Sequence, residues 1–73
     1  MSTDYLVVIE TTGKNLSAYS PDLPGCVATG ATEDEVRERM AAAIRMHIDG
    51  LAEDGAPIPQ PTAKSTTVAP ASG

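Results

Sequence analysis

Phenylalanine and tryptophan are absent from this chain, and its two tyrosines are its only aromatic residues. Any core must therefore be built from Val, Ile, Leu, Met and Ala. In 73 residues that core must also be thin, because so short a chain buries only about 60% of the surface its unfolded form exposes. A second domain is excluded. The single cysteine, Cys26, rules out an internal disulfide, so self-association is the expected remedy for a small core, and a homo-oligomer is anticipated. Long apolar runs are missing as well. The longest, Leu6 to Ile9, falls far short of the roughly 20 residues that cross a bilayer. Met1 to Asp4 lacks the basic start of a secretory leader, which leaves the cytoplasm as the expected compartment. Basic residues are scarce too. Five stand against ten acidic ones, for a net charge of −5. That balance repels phosphate backbones, argues against direct DNA binding and suits a basic protein partner. It also confers solubility, which is sufficient reason for an acidic surface.

What is present reads as three strands and a helix. Tyr5 to Glu10 (YLVVIE) is apolar and β-branched, as a covered strand requires. Thr11 to Asn15 gathers turn-forming residues, and Leu16 to Ser20 resumes an alternating pattern, so the two runs predict a β-hairpin with a loop of about five residues. Pro21 to Gly25 ends the second strand, with Pro24-Gly25 suited to a type II turn in which glycine takes positive φ. A third short strand is expected over Cys26 to Gly30. Thr32-Glu33-Asp34-Glu35 is a capping box: Thr32 accepts from the N–H of Glu35, and the Glu35 side chain is expected to return to the N–H of Thr32. The acids in this first turn suit the positive end of the helix dipole and require no ligand. Val36, Met40, Ala43, Ile44, His47 and Leu51 then form one apolar helix face, with Arg37, Glu38, Arg45, Asp49 and Glu53 largely off it. Gly50 costs about 1 kcal/mol within a helix. Gly55 supplies a left-handed stop, which places the helix end near Asp54.

From Ala56 onward prolines and small polar residues remove periodicity and bulk. The expected organisation is an α+β domain over residues 1–61 followed by a small polar tail over 62–73. Within the tail, 65–69 reads equally as a short edge strand or as a mobile segment. The fold class is accordingly an antiparallel sheet of three strands, or four if the tail joins, packed on one helix in the order β-β-β-α(-β).

Nothing in this pattern assembles into catalytic chemistry. His47 is the only histidine, and Asp49 and Glu53 do not share its face in metal-ligand spacing, so no metal is expected. Cys26 has no histidine near it in sequence to lower its pKa and reads as a half-buried structural thiol. Asp4 and Glu10 lie at opposite ends of one expected strand, about 20 Å apart, too far to hold one ion. Gly25 and Gly30 do not form a phosphate-cradling loop. No catalytic residue and no cofactor is therefore expected, and the chain is read as a binding protein and not an enzyme. The residues expected to face a partner are Pro21, Asp22, Leu23 and Pro24, a stiff loop that loses little entropy on binding. The structural alternative is that the prolines terminate a strand and Leu23 folds back on the helix.

The ordered succession of Ala18 to Cys26 (AYSPDLPGC), Gly30 to Val36 (GATEDEV) and Gly55 to Pro59 (GAPIP) resembles the HicB-like antitoxin family, and the likeness covers about residues 4–61. It implies a β-β-β-α core, often with a further strand, described as a partial RNase H-like fold without nuclease activity. It also implies a partner: a small, basic, HicA-like toxin that cleaves messenger RNA. Two departures stand out. Ala31 occupies a place where the family often has Asp, and no helix-turn-helix or ribbon-helix-helix segment follows the domain, so operator binding is not implied. A solitary scaffold or regulatory protein that keeps this fold without a toxin is the alternative reading.

Overall fold

The computed structural model describes residues 4–71. Met1 to Thr3, where no leader was expected, and Ser72 and Gly73, at the end of the expected tail, lie outside the described residues. Three strands, β1 (Val8–Thr12), β2 (Asn15–Tyr19) and β3 (Val27–Gly30), form an antiparallel sheet in the order β1-β2-β3, and one helix, α1 (Glu33–Glu53), follows. The architecture is the expected α+β sheet-and-helix arrangement, β-β-β-α.

The first strand begins and ends later than its composition suggested. Gly13 takes φ 64° while Lys14 keeps a negative φ, the signature of a two-residue type II′ turn. This tight reversal draws Thr11 and Thr12 into the ladder opposite Leu16 and Asn15, so the connection is shorter than the five residues expected. At the other end Val8 pairs with Tyr19, the last residue of β2. Beyond it Pro21 has no N–H to donate, which leaves Tyr5 to Val7 without a ladder partner. Ser20 continues the contact by other means, its hydroxyl donating to the Leu6 carbonyl at 2.9 Å. Of the two readings open for 65–69, the edge strand does not form: among the described residues no strand follows the helix. Thr62 and Ala63 are held at Asp22 beside the β2–β3 loop. The residues after them, 64–71, run exposed.

The register assigns the two faces of the sheet. Ile9, Ala18 and Ala28 lie across from one another and pack in the core with Leu23, Cys26, Val36 and Met40. Val8, Tyr19 and Val27 form the next row and so point to the opposite face, since side chains alternate along a strand. The helix lies over β3 and β2 and makes little contact with β1.

Both helix ends are closed by hydrogen bonds. At the start, the Thr32 hydroxyl accepts from the Glu35 N–H at 3.2 Å. The Glu35 carboxylate accepts not from Thr32, as a strict capping box would have it, but from the Ala31 N–H at 3.3 Å. It also pairs with Arg39 at 3.0 Å. Arg39 in turn donates to the Thr29 carbonyl at 2.7 Å, which ties the first two turns of the helix to β3. At the far end Gly55 takes φ 67°; its N–H donates to Ala52, and the Ala56 N–H donates to Leu51 at 2.9 Å. This is a complete Schellman motif. Gly50 is accommodated without interrupting the helix.

Gly30 sets how closely the sheet and helix approach. A Cβ built there would lie 2.9 Å from the Val36 Cγ2 and 3.1 Å from the Glu35 carboxylate, and Val36 is fully buried. The Gly30→Ala variant is expected to lose about 1–3 kcal/mol through overpacking, with a fall in thermal midpoint of roughly 4–8 °C per kcal/mol. Thermal unfolding followed by circular dichroism measures it. An unchanged midpoint would mean that Val36 withdraws at no cost.

Candidate protein interface

The β2–β3 connection is built from two consecutive turns. The Leu23 N–H donates to the Ser20 carbonyl and the Cys26 N–H to the Leu23 carbonyl, each at 3.1 Å. Pro21 occupies the second position of the first turn. Pro24 and Gly25 form the middle of the second, with Gly25 at φ 85° as a type II turn requires. Two reversals in so few residues point neighbouring side chains in different directions. Leu23 enters the core and is fully buried. Pro21 and Pro24 stay on the surface.

Asp22 turns toward the segment that follows the helix. Its carboxylate accepts from the Ala63 N–H at 3.0 Å, from the Thr62 N–H at 3.1 Å and from the Thr62 hydroxyl at 2.9 Å. These donors, the Ala63 amide foremost and then the Thr62 hydroxyl, hold the Asp22 pKa below its ordinary value of 3.8, with burial opposing them. A second tie lies nearby, where the Tyr5 hydroxyl donates to the Pro59 carbonyl. Of the four residues expected to face a partner, Leu23 is thus a core residue, Asp22 a tether for the tail, and Pro21 and Pro24 the exposed surface of the loop.

Nothing in the linear pattern marks Thr62, Ala63 or Tyr5 for these roles, because their partners lie 40 or more residues away along the chain. It also missed a juxtaposition. Cys26 and His47 line the same cleft of about 320 Å³, with Val27 and Met46 beside them. Burial pushes the Cys26 thiol above its ordinary pKa, the opposite of what a nucleophile requires. Among the described residues no group of three His, Cys, Asp or Glu side chains is placed to hold a metal.

Two apolar surfaces lie open. One is the sheet face away from the helix, where Tyr19 is 42% and Val27 64% exposed. The other is a trough of about 940 Å³ between the uncovered side of β1 and the helix, floored by Val7, Ile9, Met40, Ile44 and Ile48.

Comparison with known proteins adds the following. The family model described as the HicB_like antitoxin of bacterial toxin–antitoxin systems matches residues 5–71. An uncharacterized 14.9 kDa protein from the rep-hol intergenic region of Haemophilus phage HP1 (strain HP1c1) is 34% identical over 56 residues, which make up 77% of this chain and 42% of that protein. The chain therefore spans less than half the length of this curated relative. No solved structure matches it.

The tether should respond to pH. A carboxylate whose pKa is lowered by folding stabilises the native state above its ordinary titration range, and that stabilisation is lost as pH falls through its folded value. The wild-type chain is therefore expected to lose stability below about pH 4 more steeply than Asp22→Ala, and at pH 7 the variant should be the less stable of the two. Urea midpoints measured from pH 2.5 to 7 test this. Parallel curves for the two proteins would show that the tether contributes nothing.

Proposed function

We propose, from the premise that this chain belongs to the HicB-like antitoxin family of bacterial toxin–antitoxin systems, that it binds and neutralises a small basic toxin that cleaves messenger RNA, with no catalysis of its own. The family match over residues 5–71 carries the reading. The charge of −5 supports it. Acids occupy the first turn of the helix, no basic residue offsets Glu53 and Asp54 in the last, and such a field steers a basic partner into encounter. The buried, protonated Cys26 also suits a protein that works by binding. None of the described helices is long and apolar enough to cross a membrane, and we place the protein in the cytoplasm with its toxin.

Within this reading the β2–β3 loop is part of the toxin-binding surface. Pro21 and Pro24 present a rigid apolar edge, Leu23 anchors the loop from beneath, and Asp22 fixes its flank. Preorganisation of this kind spares the entropy that a flexible loop would lose on binding.

If the adjacent gene encodes a small basic protein that arrests growth when expressed alone, co-expression with this chain should yield a stable complex and relieve the arrest. Pro21→Lys, which places a positive charge at the exposed edge of the loop, should weaken the complex on the order of tenfold while the free chain stays folded and loses only the roughly 0.4–1 kcal/mol that proline's rigidity contributes. Failure to co-purify and failure to relieve arrest would together leave a solitary scaffold or regulatory role. A normal complex with Pro21→Lys would instead move the interface away from the loop.

A further inference from the structure

We infer that the cleft between the start of β3 and the middle of the helix is a soft-metal site, in which Cys26, Met46 and His47 bind one copper(I) ion. Along the chain His47 has only acids to pair with, and none shares its face in ligand spacing. The fold sets it among sulfurs instead. Cys26 follows the Pro24-Gly25 turn, where its N–H donates to the Leu23 carbonyl, and it packs beneath the helix with Val36 and Met40. Met46 and His47 stand three and four residues beyond Ala43, so both are its neighbours on the helix surface. Ala43 carries only a methyl group and Gly25 no side chain. The space they leave is the cleft of about 320 Å³ that Cys26, Val27, Met46 and His47 complete.

The donors decide which ion fits. Among the described residues no carboxylate or amide side chain lines the cleft, so it lacks the oxygens that magnesium, calcium and manganese take. A closed zinc site needs four ligands, and one thiol with one imidazole falls short. Thiolate, thioether and imidazole together suit copper(I). Cys26 is a free thiol, only 4% exposed, and none of the side-chain hydrogen bonds among the described residues engages its sulfur. Its lone pairs are therefore uncommitted where it meets the cleft. Met46 is 76% exposed, and its unbranched, polarizable side chain is free to swing over the ion.

On binding, a Cu–S bond forms as the S–H bond of Cys26 breaks. The proton passes to solvent, copper stays in its +1 state and no electron moves. A bare thiolate at this depth would be penalised by burial, and the ion neutralises it. The bound ion fastens the start of β3 to the middle of the helix.

The site stands apart from the toxin reading, and the free chain tests it. Copper(I) held as its coloured ferrozine complex is titrated anaerobically with the full, reduced chain. One ion per chain is expected to leave the chelator, and the thermal midpoint of the chain is expected to rise. Met46→Leu and His47→Ala should each weaken binding on the order of tenfold, and Cys26→Ser should abolish it. Ala43→Leu removes no ligand but fills the cleft, and it should weaken binding as much as Met46→Leu does. Circular dichroism verifies each fold; exposed Met46 keeps the test sound even if Cys26→Ser unfolds. X-ray absorption of the bound copper should show two sulfurs and one nitrogen. Retention of the chelate colour at excess chain overturns the proposal. So does copper that ignores both Met46→Leu and Ala43→Leu, or a spectrum with a single sulfur, since either would place the ion on the thiol alone.

Discussion

The burial of Leu23 is the contact on which the rest of this small structure depends. With neither Phe nor Trp in the chain, a single leucine delivered from a loop joins Val36 and Met40 as the fully buried side chains at the centre. A leucine can occupy that centre only because the backbone reverses twice between Ser20 and Cys26. The prolines and Gly25 are therefore part of the core in effect, since they set the direction from which it is filled. The close approach at Gly30 has the same logic. In a core of five buried apolar residues no side chain has enough volume to bridge a gap, so sheet and helix must come near one another.

Much of this was legible in the residues, and the reasons for the exceptions are specific. Thr32, the helix stripe from Val36 to Leu51 and the stop at Gly55 are local signals, each decided within a few residues, and each stands where the pattern put it. Strand limits are settled by partners. Tyr5 and Leu6 have every β-forming attribute, but β2 ends before it reaches them, whereas polar Thr11 and Thr12 are recruited by a turn tighter than their composition implied. The loop illustrates the difficulty of reading a site. Stiffness, an acid and a leucine between prolines left two readings open, a partner-facing patch or a strand stop with Leu23 folded onto the helix, and the double turn sends Leu23 inward, Asp22 sideways and the prolines outward. No one-dimensional pattern distinguishes these directions.

Family membership and geometry contribute differently to the functional reading. The family match speaks of an antitoxin, and the acidic surface is compatible with a basic partner. Neither identifies which surface that partner takes. The molecule offers at least two apolar surfaces of different character: a flat sheet face bearing Tyr19 and Val27, and a trough with a charge-balanced rim.

The Asp22 tether also has a mechanical meaning. By fastening Thr62 and Ala63 to the β2–β3 loop, it closes a ring of some forty residues that contains β3 and the entire helix. Pulling on the chain beyond Ala63 would load three hydrogen bonds on one carboxylate before any force reached the helix. A reporter, surface anchor or second module joined after Ala71 would therefore emerge from the loop end of the sheet and not from the end of the helix. The attachment geometry of any such fusion is set by Asp22, far from it in sequence, and an Asp22→Ala chain would release it to swing from Pro59, which Tyr5 still holds.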